Sequence, residues 1–422
     1  MACINLPYGS KHLPICLPQE ALGEVVRPHD AMAVADPMAT IHHALLHPIG
    51  VPRLDQLVRP DHTVAIIIDD TTRTTPTSLI VPLVLEQIAG SGVRQQDVSI
   101  VIALGTHRPL TEAEIVAKVG ATVASQYRIV NTSADEQDAH LYVGTSSNGI
   151  PAWVKREVAE ADVRIGIGSI VPHVGAGFSG GAKIILPGVC NRLTVETFHA
   201  KETDLVSNQL GQLTSPIRLD LERFVDDTVR LDFLINTVMT AEHHLYRCVA
   251  GHFLEAHRAG VAYAREVYGV PVSRRYPVII ASAYPKDMDL WQSTNAIWVG
   301  DHIVEDGGTL ILAAAAPEGH SAYPNLPRRL GMDPEALKQA FDHETLDDRM
   351  TAIFGIVLGR LKRRFGVALI SNGLTRTDAE MMGFRYEPSV ESAIAAAIDS
   401  DGARQHGIGV LTHGGITLPL LT

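Results

Sequence analysis

The chemistry of this chain gathers around one lysine. Lys183 lies in residues 165–200, IGIGSIVPHVGAGFSGGAKIILPGVCNRLTVETFHA, with His173 before it and His199 after it. Gly175, Gly177, Gly180, Gly181 and Gly188 punctuate the same stretch. Such residues allow tight turns and close approach of the backbone to a ligand, at a cost in chain entropy. The run 184–187 beside the lysine is Ile-Ile-Leu-Pro, an apolar setting. Burial there lowers an amine's pKa and makes it a nucleophile toward a carbonyl or thioacyl carbon. Pairing with a phosphate is an equally weighted role. A P-loop is excluded, because Ile184 follows the lysine where a hydroxyl for Mg²⁺ would have to stand. Backbone amides alone still offer a phosphate cradle.

Two more clusters carry chemistry. Residues 69–76, DDTTRTTP, pack carboxylates, hydroxyls and one guanidinium into a short turn. Arg73 could grip a carboxylate or phosphate with two hydrogen bonds. Helix capping accounts for one or two of these residues, not for the cluster. His107 follows Gly105 and Thr106 at the end of an apolar run, a fitting place for a general acid/base. His173 or His199 could ligate a metal, and one histidine suffices if a cofactor brings the other ligands. A helix-end histidine, favoured by the dipole, is the plainer role for His199. His42, His43, His47, His243 and His244 read as surface or satisfied histidines.

Those groups need a scaffold, and the pattern supplies one. Residues 63–68 (TVAIII), 98–104 and 163–167 are short β-branched runs suited to strands buried on both faces. A helix starts near Pro76, where proline suits the first turn. Each of the three runs ends in one of the reactive loops, and the carboxyl edge of an open parallel sheet is where ligands bind. A second unit begins near residue 271, with strands at 276–283, 309–315 and 366–370. Helices at 289–299, 345–363 and 388–399 lie between and after them. Residues 251–268 form a helix leading to a linker at 270–273, and residues 191–201 a helix bearing His199. The expected fold is therefore α/β. It has two domains, 1–270 and 271–422, each a mostly parallel sheet flanked by helices, with the site in the cleft between them. The last residues are free to return to the first domain.

Composition narrows the function. A formal net charge of −12 with no dense basic block argues against a nucleic-acid surface. No apolar run is long enough to span a bilayer, and residues 1–20 lack the apolar segment of an export signal. Cys3, Cys16, Cys190 and Cys248 have no CxxC spacing and are expected to be reduced thiols of a cytoplasmic protein.

DDTTRTTP, GTHRPLT, PHVGAGFSGGAKIILPG and ETFHA, in this order and with these separations, resemble the lactate racemase family of nickel-pincer enzymes. The resemblance covers most of the chain and is strongest over residues 63–200. It implies a racemase or epimerase of 2-hydroxy acids. It also implies a pyridinium-3,5-bisthiocarboxylic acid mononucleotide-type cofactor that grips nickel through carbon and two sulfurs. Lys183 matches the lysine that tethers the cofactor, His199 the nickel ligand, and His107 and His173 the two acid/base histidines. Arg73 and Asp70 match active-site residues, the arginine holding the substrate carboxylate. The turn Ser179, Gly180, Gly181 is the expected cofactor-phosphate contact. Transient partners would be the enzymes that make the cofactor; nucleic acid and membrane are not expected.

The implied reaction is removal of hydride to the cofactor while one histidine takes the hydroxyl proton. A planar 2-oxo acid results, and hydride then returns to its other face with a proton from the second histidine. One departure from the family stands out. Trp291, Gln292 and Asn295 fall where the family has Tyr, Gln and Lys, so an ammonium is lost at residue 295 and only neutral hydrogen bonds remain there. Lactate is therefore not the expected substrate; a 2-hydroxy acid with a longer or more apolar side chain, using Trp291, is. Lys286 is a second candidate to reach the site. The alternatives are a relative that carries out net redox or elimination chemistry, and a non-catalytic binder of a phosphorylated ligand.

Overall fold

A computed structural model describes residues 1–205, 207–320, 323–401 and 407–422. Two six-stranded sheets organise it. The first runs, edge to edge, Leu245–Gly251, Phe233–Met239, Val163–Ser169, Val64–Asp69, Val98–Ala103 and Arg128–Val130. All its neighbours pair in parallel except the Leu245–Gly251 edge strand, which is antiparallel to Phe233–Met239. The central strand Val64–Asp69 is buried along its whole length, as a run of β-branched residues covered on both faces must be. The second sheet, all parallel, runs Arg385–Tyr386, Gly366–Ile370, Val304–Ala313, Tyr276–Ser282, Ile408–Leu411 and Leu22–Val26.

The helices follow the same logic. Pro76 caps Thr77–Ala89, whose apolar residues Ile80, Val81, Val84 and Ile88 are buried. Glu255–Tyr268 packs on the antiparallel edge of the first sheet. The expected helix at 289–299 forms as two short pieces, Leu290–Ser293 and Asn295–Asp301, broken at Thr294. The first piece is capped by Asp289, which accepts from the Gln292 amide at 2.7 Å. Helix Arg349–Lys362 of the later sequence packs against Arg192–Ala200 of the earlier, joining the two sheets' layers.

Two expectations are corrected. The supposed linker is the strand Gly269–Val272, because Leu418–Leu421 returns to pair with it in parallel. Cys3 and Cys16 are not free thiols but a disulfide. They face each other across an antiparallel hairpin, Ala2–Tyr8 against Lys11–Leu17, whose register puts residue 3 opposite residue 16. The signal was present in the sequence: two seven-residue strands about a Gly-Ser turn align those positions, with no CxxC spacing needed. The reduced-cysteine argument for a cytoplasmic protein falls with it. No helix among the described residues is long and apolar enough to cross a membrane.

Alkylating the denatured, unreduced protein should therefore label only Cys190 and Cys248, the two free cysteines. Prior reduction should add Cys3 and Cys16. Four labels without reduction would break the assigned pairing.

Candidate active site

Three loops at the carboxyl edge of the first sheet converge with one from the second. The first follows Val64–Asp69 and is held from beneath by Lys118, whose buried ammonium donates to Asp69 Oδ1 (2.6 Å) and to the carbonyl of Asp70 (2.9 Å). Thr75 Oγ1 donates to the same aspartate. With Asp69 so engaged, Asp70 is left for the cavity. Its Oδ1 accepts from the amide (3.1 Å) and hydroxyl (2.5 Å) of Thr72, and its Oδ2 pairs with His107 Nδ1 at 2.5 Å. Burial alone would raise the pKa of Asp70. The charge and hydrogen bond of His107, with Arg73 and Thr72, outweigh it and hold the carboxyl well below its usual range.

That pairing decides what His107 can do. A carboxylate on Nδ1 keeps the proton there and leaves Nε2 as the basic nitrogen. Gln292 Nε2 lies 3.3 Å from it and reaches across from the second sheet. Tyr323 also crosses, donating to Thr106 Oγ1 at 2.5 Å.

The glycine-rich loop carries His173 and Lys183. His173 Nδ1 accepts from the amides of Gly175 and Ala176, both at 3.2 Å. Burial, then Lys183, Lys286 and Arg73, push its pKa well below the ordinary value. It is therefore neutral with its proton on Nε2, a donor at rest; to take up a proton at Nδ1 it must release both amides. The histidines are thus unequal, one set as a base and the other as a hydrogen-bond donor.

Lys183 is pulled down to about 7 by burial and by the nearby charges of Arg218 and Arg73. Its amine is accordingly a nucleophile near neutral pH. The turn before it is largely tied up by the protein. Gly181 N donates to Asn236 Oδ1 (2.9 Å), Ser179 N to the Val171 carbonyl (2.8 Å), and Ser179 Oγ to the Ser169 carbonyl (2.8 Å). Of the three turn residues Ser179, Gly180 and Gly181, Gly180 alone keeps an amide with no acceptor among the described residues. Gly177 has φ +73°, and a Cβ there would meet the Gln212 carbonyl oxygen at 2.0 Å. Only glycine fits.

His199, on helix Arg192–Ala200, has Nδ1 2.9 Å from Glu202 Oε1. A carboxylate on one ring nitrogen orients the other toward a metal. Arg73, His107, His173, Lys183 and His199 line one cavity with Asp70. Trp291, Gln292, Asn295 and Lys286 close it from the second sheet's side. Trp291 stacks on Phe354 (centroids 3.5 Å apart) and Tyr323 (4.1 Å), so protein rings engage it. Asn295 is engaged as well, its Nδ2 donating to the Gln292 carbonyl (2.8 Å) and its Oδ1 accepting from Lys286 (3.4 Å).

Sequence reasoning missed Lys118, Asn236, Ser169, Arg218 and His257. Arg218 is wholly buried and donates to the carbonyls of Ala176 and Phe178; His257 Nε2 donates to that of Ser179 at 2.8 Å. Apart from Ser169, which falls within the 165–200 stretch, none lies in a motif, and contacts with one or other reactive loop are what mark them.

The residues fit a metal that brings its own ligands. Among the described residues no group of three or more His, Cys, Asp or Glu could hold a metal ion, so a metal at His199 would have to bring further ligands on a bound organic group. Ser169 Oγ, in the cavity wall, is buried without a partner. Together with the Gly180 amide and the Lys183 amine it offers such a group polar contacts and an attachment point.

A sequence model of the lactate racemase N-terminal domain matches residues 8–211. The lactate racemase of Thermoanaerobacterium thermosaccharolyticum is 31% identical over 331 residues, covering 76% of each chain. That of Lactiplantibacillus plantarum is 28% identical over 373 residues, 85% of this chain and 87% of the relative. The solved lactate racemase apoprotein from T. thermosaccharolyticum superposes with a TM-score of 0.87 at 25% identity, covering 99% of this chain and 100% of that one. A Thermotoga maritima protein shares the fold, with a TM-score of 0.71 at 18% identity over 91% of this chain and 98% of its own.

The lowered pKa gives a direct check. In the cofactor-free protein, acetylation of Lys183 followed by peptide mass spectrometry should rise with a midpoint near pH 7. Exposed lysines should rise only near pH 10. A midpoint at Lys183 matching theirs would contradict the assigned environment.

Proposed function

This chain belongs to the lactate racemase family, and on that premise we propose that it inverts the hydroxyl-bearing carbon of a 2-hydroxy acid other than lactate by transient hydride transfer. Its kinship makes it a racemase-type isomerase; the mechanism and the substrate are our reading. The observation that carries it is the His107–Asp70 pair at 2.5 Å, in one cavity with Arg73, His173, Lys183 and His199.

Bound at Lys183, a nickel-pincer nucleotide supplies a reversible hydride acceptor, the part of the chemistry no side chain can perform. His199 would complete the nickel coordination, with Glu202 fixing its ring. Ser169 Oγ and the Gly180 amide would meet polar groups of the nucleotide. Arg73 holds the substrate carboxylate; its Nη1 is kept in place by the carbonyl (3.3 Å) and hydroxyl (2.8 Å) of Thr72. For one enantiomer His107 Nε2 takes the hydroxyl proton, displacing the Gln292 amide. Asp70 then stabilises the imidazolium, as a carboxylate behind a catalytic histidine does. His173 serves the opposite face, giving up the Gly175 and Ala176 amides when it takes a proton. Arg73 keeps the carboxylate fixed while the planar 2-oxo acid turns.

Two features favour a substrate larger than lactate. Asn295 removes the ammonium that the family resemblance places there, and its amide is already bonded to Gln292 and Lys286. Trp298, Met350 and Phe354 give the cavity an apolar wall for a longer side chain. A two-domain division near residue 270, with residues 1–26 counted with the second sheet instead of the first, belongs to the same proposal, closure bringing Gln292 onto His107.

The test is expression beside the cofactor-synthesis enzymes, followed by chiral chromatography of enantiopure 2-hydroxy acids. Racemisation should yield the mirror-image acid without an accumulating ketone, and the protein should hold stoichiometric nickel. An accumulating 2-oxo acid would point to net redox chemistry, and metal-free protein without turnover to a binder; either outcome refutes the proposal. Lys183→Ala should show the unmodified mass under denaturing conditions. His107→Ala and His173→Ala should each keep the nickel and lose about 10²-fold or more in turnover. Asn295→Lys should gain activity on lactate.

A further inference from the structure

Two cations in the cavity, Lys286 and Arg73, make no ion pair among the described residues. Lys286 is buried, and its Nζ makes one hydrogen bond among the described residues, to Asn295 Oδ1 at a long 3.4 Å. Arg73 is half-buried, and among the described residues its side chain bonds to the carbonyl and hydroxyl of Thr72 alone. The nearby carboxylates are committed elsewhere: Asp70 to His107, Glu202 to His199, and Asp69 to Lys118. Burying an ammonium without a counter-charge is costly unless a ligand brings one. Lys286 and Arg73 approach the cavity from different sheets, Lys286 from the loop after Tyr276–Ser282 and Arg73 from the loop after Val64–Asp69.

Asn295 has a role in this. Its Nδ2 is fixed on the Gln292 carbonyl, which turns its Oδ1 to the Lys286 ammonium. The amide at 295 thus steadies a charge delivered from residue 286 instead of carrying one itself. We infer that Lys286, positioned by Asn295, shares the substrate carboxylate with Arg73 and sets how tightly the acid is held. One carboxylate offers two oxygens, and a cation from each sheet can take them separately. Burial, with the fields of Arg73 and Lys183, lowers the pKa of Lys286 to about 7, as an ammonium awaiting an anion should show. The inference rests on the 2-hydroxy acid reading, and it adds the residue that makes binding depend on both halves of the molecule.

The experiment separates the two. In the cofactor-loaded enzyme, Lys286→Gln should raise KM for the acid turned over at least tenfold and change kcat less than threefold. Lys286→Arg should stay within threefold of the parent KM. In the full chain purified without cofactor, oxalate serves as the probe, measured by calorimetry. Its affinity should fall at least tenfold in Lys286→Gln, and likewise in Arg73→Gln. Removing an uncompensated buried charge should leave Tm unchanged or raise it. A fall in Tm alongside weaker binding would assign Lys286 a structural role and overturn the inference; so would an unchanged KM, a loss confined to kcat, or a parent chain that does not bind oxalate. If Lys286→Gln does not fold, Lys286→Met, which keeps the apolar stem, takes its place under the same criteria. Absence of racemisation in the parent enzyme would instead strike at the functional reading, whatever oxalate does.

Discussion

The site depends on a glycine-rich loop clamped from outside by a buried guanidinium. Residues between Val163–Ser169 and Arg192–Ala200 form a two-residue ladder, one short helical turn and scattered bonds such as Ser179 N to the Val171 carbonyl. Side chains from other elements complete its shape. The Arg218 guanidinium, wholly buried, holds the carbonyls of Ala176 and Phe178. His257 holds that of Ser179, and Asn236 the amide of Gly181. A hydrogen bond to a charged group contributes about 1.5–3 kcal/mol, and a neutral one about 1. These bonds offset part of what the glycine-rich segment loses in chain entropy, and burial of Phe178, Ile185 and Leu186 offsets more. Arg218 also raises the local potential and helps keep Lys183 uncharged. The same side chain thus shapes the loop and adds to the effect of burial on the amine.

The cavity is positive in a way that suits anions and penalises emptiness. Arg73, Lys183 and Lys286 each depress the protonation of His173 or of one another. Among the described residues the lining carboxylates are already engaged, Asp70 and Glu202 by histidines and Asp69 by Lys118. An anion bound here would meet the Arg73 guanidinium and the Lys286 ammonium. His107 and His173 are held unequally: one imidazole is backed by a carboxylate, the other by two backbone amides.

Much of this was legible because the chemistry sits at strand ends. Asp70, Arg73, His107, His173, Lys183 and His199 lie in four compact motifs, and the three apolar runs before them became adjacent parallel strands. The α/β class and the placing of reactive loops at the carboxyl edge followed from alternation alone. What stayed hidden comes from partners remote in sequence. Lys118 sits in an ordinary amphipathic helix, Arg218 and His257 in others, and nothing nearby distinguishes them. The strand Gly269–Val272 reads as a linker because its only partner in that small sheet lies near residue 420. The Cys3–Cys16 pair needed strand register, which spacing motifs do not encode.

The edge strand Leu22–Val26 carries a consequence for biosynthesis. It pairs with Ile408–Leu411, so the second sheet joins the earliest part of the chain to the latest. A ribosome releases the first of these strands long before the other exists, and the intervening layers must assemble around a seam still open. Excising residues 271–422 as an independent piece would leave that seam permanently exposed, a template for intermolecular pairing. Circularly permuted versions that bring the two segments together would shorten the wait, at the expense of a new break elsewhere.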